Sequence, residues 1–495
     1  MHNRLLAFSL AQAAFGGFGD VLSNTLNLMN MPLKEFFNES IALHYGTPTA
    51  ETFDFVYSVS AAMMFVGLLI GFIFMGNLMD ALGRRETAVI LRSTIGISSG
   101  LLMILGHYTM RFEFFVVGHL LAGVVLAFKV VLVIFVAECT PDHHRGMTTM
   151  MVNSGASLLV CIVTPLCLPT LFGSADRWTM LPLIGVVLAT LHLLAGLFFP
   201  QSPKQLYIQN HDKLGSEKAI RFFHGRRADI SAVMKEYELE RLLETHGHAS
   251  TKQVLQNKTL RWSLWLVLLL SFVPPVSALN VKSQYLSQIL SSYGMDQNQT
   301  TLTMLLISLC LLPLLFLSPL IIDRIGRRPL FIAVCLLCTF EWMGLGIAQI
   351  FVDQRIESAT RVVLGVGGVV LGQSATNMGL LVMAPILLSE ICPHNSRAAT
   401  TQISQVVPMF LAIAQVAFFN QLVNLAGSLF FFFFALLAAG LTSLVYLQLP
   451  ETKALPVDRL VRRVSQSRSR STSVTPFFHP VYGSTDSEAS NDSSS

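Results

Sequence analysis

The chain carries the stretch GNLMDALGRR at Gly76–Arg85 and a related stretch, PLIIDRIGRR, at Pro319–Arg328. Their aspartates, Asp80 and Asp323, are 243 residues apart. Two further pairs of motifs repeat at similar offsets, AECTPDHHRG with SEICPHNSR and FFPQSP with QLPETK. Three ordered motifs that recur at a nearly constant spacing indicate an internal duplication, which is common among membrane transporters. The chain is therefore predicted to consist of two related halves.

The composition places most of the chain in a membrane. Of its 495 residues, 53% are hydrophobic and 13% are charged, and the mean hydropathy is +0.59. An apolar run of about 20 residues can cross a hydrocarbon core of about 30 Å as a helix. Twelve such runs lie near residues 5–28, 54–79, 88–108, 112–137, 147–170, 179–199, 263–290, 302–323, 330–351, 362–389, 399–424 and 428–448. The sequence thus predicts an all-α membrane protein with twelve transmembrane helices.

Polar segments divide the chain into four parts. Residues 1–200 and 263–450 are each expected to form a six-helix bundle, and residues 201–262 a linker with short amphipathic helices. The tail at 451–495 has almost nothing to bury and is expected to be disordered. Within it Ser465 and Ser471 follow basic residues and are candidate phosphorylation sites.

The distribution of Lys and Arg predicts the orientation in the membrane. Eleven of the 33 Lys and Arg residues lie in the linker, so the linker and, with an even number of spans, both termini are expected in the cytoplasm. Sequons at Asn38, in the first outer loop, and at Asn298 then lie on the opposite side, where glycosylation can occur. We expect a multi-pass protein of the plasma membrane or another secretory-pathway membrane.

Several function classes are excluded. The chain has no HExxH or P-loop motif and no His and Cys cluster with metal-ligand spacing, so we expect neither an enzyme nor a metal or other cofactor. The seven cysteines fall in spans or at their ends, which argues against an extracellular disulfide framework. The expected partners are the lipid bilayer and a small-molecule solute, without nucleic acid, and the expected state is a monomer.

The ordered motifs resemble those of the sugar porter family of the major facilitator superfamily, and especially the animal facilitative glucose transporters. The resemblance rests on Gly76–Arg85, Glu138–Gly146, Asp323–Arg328, Glu390–Arg397 and Pro450–Lys453. It implies two pseudo-symmetric six-helix bundles that rock about a central site and carry a small polar solute such as a hexose or polyol. Facilitated diffusion is the expected mode. A transporter-like nutrient sensor without flux is the alternative.

Charged residues of the repeated motifs form a candidate gate. Asp80 and Arg84 are one helical turn apart, and Glu138 and Arg145 flank the loop between the fourth and fifth spans. Acids and guanidinium groups at matched positions in both halves are expected to latch the cytoplasmic face, whereas arginines alone would only fix the topology. The proposed members are Asp80, Arg84, Arg85, Glu138, Arg145, Asp323, Arg327, Arg328, Glu390 and Arg397.

The pocket departs from the pattern of the glucose transporters. By resemblance, the fifth span contributes an amide, here Asn153, and the seventh-span motif QQxSGxN is replaced by Pro274–Asn280. The loss of two amides removes donors and acceptors from a site for a polyol, and the paired prolines should break this helix. The expected substrate-binding residues are Asn153, Ser277, Asn280, Lys282 and Gln284.

Four ionisable residues, Asp20, Lys129, Lys282 and Glu341, fall inside predicted spans, where charges are costly and are normally retained for function or pairing. Asp20 resembles the aspartate of proton-coupled sugar symporters, and His119 stands where their arginine partner lies. A facing Asp20 and His119 would suit coupling to protons, whereas a capping aspartate and a packed histidine would not. Lys282 can attract an organic anion such as urate, pair with Asp20 or Glu341, or snorkel.

Overall fold

The computed structural model describes residues 3–225, 228–244, 255–256, 258–356, 359–381, 383–384, 387 and 394–449. Within these ranges, every regular element is a helix. Ser465 and Ser471 and the whole predicted tail lie outside the described residues, as does Glu390.

The first half is built from helices that cross back and forth. They are Asn3–Phe15, Phe18–Ser23, Thr25–Leu28, Asn30–Tyr45, Ala50–Leu82, Glu86–Leu91 (a π-helix) with Arg92–Thr109, Phe112–Cys139, Asp142–Val163 with the 3₁₀ turn Thr164–Cys167, and Met180–Leu197. The linker contributes Pro203–Ile208, Lys213–Phe223 and Ile230–Glu244.

The second half repeats this plan. Its helices are Lys258–Ser271, Val273–Val276, Leu279–Ser292, Gln297–Ile325, Arg327–Asp353, Ala359–Ala375 with the π-helix Thr376–Leu380, His394–Ala417 with Phe419–Ala426, and Ser428–Gln448.

Eleven helices among the described residues are long and apolar enough to cross a membrane. A pair bent by 56°, Thr400–Ala417 with Phe419–Ala426, gives a twelfth candidate if it is counted as one span. The predicted all-α membrane architecture is confirmed. Successive spans alternate in direction, so that the linker helices and the turns near Gly83 and Gly326 share one side, here called the linker side.

The segment expected to be the first outer loop is helical, from Asn30 to Tyr45. Its apolar residues Leu33, Phe36, Phe37 and Ile41 follow the three-to-four-residue period of a helix face and are all buried. The loop expectation was wrong here because this apolar periodicity outweighs the polar residues between them. Asn38 lies on the exposed face of this helix.

Three spans are interrupted where they approach the centre of the molecule. The first span breaks between Phe15 and Phe18. The seventh span breaks around the short helix Val273–Val276, as the paired prolines predict. The tenth span ends in a π-helix in which Gly379 has a φ of 117°, a conformation that a residue with a Cβ adopts only with strain. Such breaks free backbone groups and side chains to face a central cavity.

Candidate solute-binding site

A cavity lies between the two halves. It consists of two adjacent pockets of about 400 and 330 Å³, which share the wall residues Asp20, Asn24, Leu279 and Ser283. Spans one, two, four and five line it from the first half, and spans seven, eight, ten and eleven from the second. The same four positions of each six-span repeat thus face the centre, which is what the duplication predicts. The volume suits a small molecule.

The wall is rich in amides and hydroxyls. In the second half, Gln373 Nε2 donates to Asn377 Oδ1 at 3.1 Å, and Asn377 Nδ2 donates to the Leu311 carbonyl at 2.8 Å. The buried Asn280 Nδ2 has no hydrogen-bond partner among the described residues. A buried amide without a partner is costly, so this group is available to a ligand. The polar wall residues include Asn24, Asn27, Ser157, Thr164, Asn280, Ser283, Gln284, Gln373, Thr376, Asn377, Ser404 and Gln405.

Three of the five residues expected to bind substrate line the cavity: Asn280, Lys282 and Gln284. The structure places Ser277 elsewhere. Its buried hydroxyl donates to the Pro274 carbonyl at 2.6 Å and accepts from the Leu279 amide at 3.3 Å, so it stabilises the break in the seventh span. Ser277 does not line these two pockets, and the substrate role expected for it stays a prediction.

Asn153 is also absent from the wall of the cavity. It is exposed and lies one helical turn nearer the linker side than Ser157, which does line the cavity and which donates to the Asn153 carbonyl. The fifth span therefore presents Ser157 rather than Asn153 to this cavity, and the substrate role expected for Asn153 stays a prediction. The wall residues that the sequence reasoning missed, such as Gln373, Asn377 and Gln405, are amides within apolar spans, and that signal alone could have found them.

Asp20 and His119 are not brought together. Both carboxylate oxygens of Asp20 lie 2.9 Å from Lys129 Nζ. His119 is fully buried and shares a hydrogen bond of 3.1 Å with Gln284. Because Lys129 follows His119 by ten residues on one helix, the two side chains are about 15 Å apart along the axis, and Asp20 lies at the level of Lys129. The expected Asp20–His119 pair is wrong.

The second buried ion pair joins Lys282 to Glu341, with 2.5 Å between Lys282 Nζ and Glu341 Oε1. This is one of the pairings considered for Lys282. Each half thus contributes one pair, and both lysines of the cavity wall, Lys129 and Lys282, are opposed by a carboxylate. The wall therefore offers a polar but locally neutralised surface.

Hydrogen bonds between the described residues of the two halves lie on the side away from the linker, whereas spans two and eleven also pack through the apolar residues Phe72, Val406 and Met409. Asn27 of the first span donates to the Lys282 carbonyl at 3.2 Å and accepts from the Ser287 amide at 3.0 Å. Further contacts are the His119–Gln284 hydrogen bond, a bond of 2.8 Å from Asn424 to Asp54, and one of 3.2 Å from Gln297 to the Gly173 carbonyl. We call this set the far interface. It closes the cavity on that side.

The far interface is bordered by the outer helix Asn30–Tyr45, where Asn30 Nδ2 donates to the Tyr57 hydroxyl at 3.1 Å. Burial lowers the pKa of Lys34 on this helix, and the carboxylate of Asp54 offsets part of that shift. The ammonium lies 5.6 Å from the centre of the Tyr57 ring, which is a cation–π distance.

On the linker side, the repeated motif of the first half forms a compact cluster. Arg84 Nε lies 3.4 Å from Glu138 Oε1, and Arg84 Nη1 lies 3.9 Å from Asp80. The linker joins the same cluster, because Ser202 Oγ donates to Glu138 at 2.5 Å and Gln205 Oε1 accepts from the Arg84 amide at 2.9 Å. We call these five residues the linker cluster. It attaches the linker to the first half.

The other residues expected in the gate make the following contacts. Arg85 donates to the carbonyls of Gly196 and Leu197 and lies 3.8 Å from Glu86. Arg145 Nε donates to the Ala137 carbonyl at 3.3 Å. In the second half, Arg328 donates to the Tyr446 carbonyl at 2.9 Å. The helices Gln297–Ile325, Arg327–Asp353 and His394–Ala417 contain Asp323, Arg327 and Arg397, and the side chains of Asp323 and Arg397 lie outside the described residues.

The linker cluster gives a first testable prediction. We expect Glu138→Ala to increase the rate of proteolytic cleavage within residues 201–262 by about tenfold, because Arg84 and Ser202 lose a partly desolvated partner that contributes more than the ~0–1 kcal/mol of an exposed pair. Glu217→Ala, which removes an exposed pair with Arg221, is the matched control and should change the rate little. Equal rates for the two variants would contradict a docking role.

Comparisons with known proteins agree with this architecture. The sequence profile of the family described as "Sugar (and other) transporter" matches residues 13–462. The chain belongs to this sugar transporter family. As a member of it, the protein is a multi-pass membrane transporter and not an enzyme.

Curated relatives of this sugar transporter cover most of its length. The mouse solute carrier family 2, facilitated glucose transporter member 7, is 25% identical over 454 residues, covering 90% of this chain and 88% of the relative. The human facilitated glucose transporter member 9 is 26% identical over 485 residues, covering 95% and 86%. The sugar transporter also shares its fold with the inward open conformation of the xylose transporter XylE from E. coli, with a TM-score of 0.71 at 18% identity over 93% of this chain and 98% of that chain. The predicted major facilitator fold is confirmed.

Proposed function

We propose that the protein is a facilitative carrier for a small, neutral, polar solute, a hexose or polyol, that works by alternating access. The observation that carries this proposal is the central cavity, whose amides and hydroxyls come from both halves and whose two lysines are each paired with a carboxylate. Amides donate and accept hydrogen bonds and so suit a hydroxyl-rich solute. Paired lysines offer little net attraction to an organic anion, which we rank second.

Uptake measurements test the substrate class. Purified protein in liposomes should take up at least one labelled hexose or polyol in a saturable manner, and should discriminate against urate and other small anions. Saturable uptake of anions alone would overturn the proposed class. Ligand-dependent signalling through the tail without any flux would instead favour the nutrient sensor.

The carboxamides of the cavity wall provide the matched variants. We expect Asn280→Ala and Asn377→Ala each to raise KM by about tenfold, since each removes a hydrogen bond worth roughly 1.4 kcal/mol in binding. Asn153→Ala is the control, because the same amide chemistry is removed from an exposed position outside the wall. A larger effect for Asn153 than for Asn280 would restore the original sequence-based assignment.

The distribution of charged residues gives the proposed orientation of the protein in the membrane. The linker side, with its excess of Lys and Arg, is proposed to face the cytoplasm, with both termini on that side, in the plasma membrane or another secretory-pathway membrane. Asn38 and Asn298, both exposed on the opposite side, are the proposed glycosylation sites. Because the far interface is closed in this structure, the described conformation is then the inward-facing one, and a protein monomer contains the whole cavity.

Coupling to protons is not part of this proposal. Asp20 faces Lys129 rather than His119, so the facing Asp20 and His119 that would suit coupling are not brought together. We expect a protonophore to change the rate of uptake by less than about twofold. This is well below a tenfold change, which corresponds to about 1.4 kcal/mol. Uptake that follows an imposed pH gradient and disappears in Asp20→Asn would establish coupling instead.

A further inference from the structure

A buried guanidinium lies in the first half, where the carrier mechanism described above does not use it. Arg92 is in the third span and is fully buried, although that span does not contribute to the cavity wall. Charged residues inside membrane spans are costly and are normally retained for pairing or function. The contacts of Arg92 therefore indicate what this charge does.

Arg92 binds the break in the first span. Its Nη2 donates to the Gly16 carbonyl at 2.8 Å, between the helices Asn3–Phe15 and Phe18–Ser23. Its Nε donates to the Val125 carbonyl of the fourth span at 3.1 Å, and its guanidinium carbon lies 4.3 Å from the centre of the Phe18 ring. Carbonyls at a helix end lack intrahelical partners, so Arg92 satisfies one that would otherwise be unpaired in the core. One side chain thus connects three spans at the interruption.

The same guanidinium lies beside Gly19, the residue that precedes Asp20. A methyl group on Gly19, the preceding residue, would lie 3.1 Å from Arg92 Nη2. Arg92 Nη1 has no hydrogen-bond partner among the described residues. Lys129 pairs with the Asp20 carboxylate, while Arg92 lies against the backbone just before Asp20. Its own carbonyl accepts from Asn24 Nδ2 at 2.7 Å, so the position of Asn24 depends on the same segment.

We propose that Arg92 is a positioning residue for solute transport, which fixes the break in the first span so that Asp20 and Asn24 stand at the cavity wall. Arg92 does not touch the solute and acts through these two residues. The inference rests on the proposed carrier function for its effect on transport. Its effect on the break itself is independent of that function.

The first test needs no solute. Hydrogen–deuterium exchange of peptides that cover residues 12–24 should be at least about tenfold faster in Arg92→Gln than in the unmodified protein, because the break loses its anchor. Arg361→Gln is the matched control, since Arg361 also donates to a backbone carbonyl, that of Tyr293 at 2.7 Å, but in the second half. It should leave residues 12–24 unchanged. Unchanged exchange in Arg92→Gln would overturn the proposal.

The second test is a double-mutant cycle on uptake of the hexose or polyol that the liposome screen selects. Arg92→Gln should raise KM by about tenfold with Vmax within about twofold, and the same change in an Asp20→Asn background should add less than about twofold. Arg92→Lys keeps the charge but loses hydrogen-bond donors, so its KM should lie between those of the unmodified protein and Arg92→Gln. If the effects of Arg92→Gln and Asp20→Asn on KM are independent and simply multiply, the positioning role is overturned. If the unmodified protein shows no flux, the proposed function fails, while the exchange experiment still decides the role of Arg92 at the break.

Discussion

Lys282→Met is expected to destabilise the protein by about 3–5 kcal/mol, because it leaves Glu341 as an unpaired carboxylate in the second half. Glu341 is 1% exposed, and its carboxylate fills the space beside Gly372, where a methyl group would lie 1.9 Å from the carboxylate carbon. Lys282 forms an ion pair with it. Thermal unfolding in detergent measures the loss as a lower midpoint.

Substitution of the partner residue, Glu341, should lower the stability less than Lys282→Met does. In Glu341→Gln the remaining lysine lines the cavity and can extend its ammonium toward water, whereas a carboxylate left behind Lys282 has no such route. The double variant Lys282→Met/Glu341→Gln should recover most of the stability, because no unpaired charge remains. Removal of the exposed Arg221–Glu217 pair is the control and should shift the midpoint little. Equal, additive losses for the two buried residues would show that they do not act as a pair.

Asn27→Ala is expected to open the far interface. It deletes two hydrogen bonds to the backbone of the seventh span, to the Lys282 carbonyl and the Ser287 amide. At about 0.5–1.5 kcal/mol each, they bias the conformational equilibrium by roughly 1–3 kcal/mol, or about 5- to 150-fold in population. Spin labels on Tyr108 and Leu425, which are exposed on that side of the two halves, report this shift. We expect a new population of molecules in which the distance between the labels is longer.

Asn30→Ala is the matched control for this experiment. Asn30 is also a buried asparagine, but its hydrogen bond to Tyr57 stays within the first half. It should leave the distribution of label distances unchanged. If Asn27→Ala leaves the distribution unchanged as well, the far interface does not control opening, and the conformational balance must lie in other contacts.

The large features of the fold could be predicted from the sequence because they depend on long, redundant signals. Twelve apolar runs, a duplicated Asp–Arg motif and paired prolines each act through many residues or through a fixed backbone constraint. The helix Asn30–Tyr45 was missed because a short polar segment after a span is usually a loop. Only its apolar periodicity distinguishes it.

The site was less predictable, since it depends on which helix faces meet. Asn153 and Ser157 differ by one turn of one helix, yet only Ser157 reaches the cavity wall. Asp20 has several cations within the same bundle as candidate partners, and only the relative height of the spans selects Lys129 over His119. Resemblance of motifs identifies matching positions along the chain. It does not show at which level of neighbouring spans the side chains meet once the pocket residues have changed.

Two related halves are proposed to move about the shared cavity, and a pair of distance measurements can detect this movement. Spin labels at Leu82 and Ile325, the matching ends of the duplicated motif, report the linker side, and labels at Tyr108 and Leu425 report the far side. On addition of a transported solute, we predict a new population in which the linker-side distance shortens while the far-side distance lengthens. If both distances stay fixed during measurable flux, or if both change in the same direction, the account is contradicted.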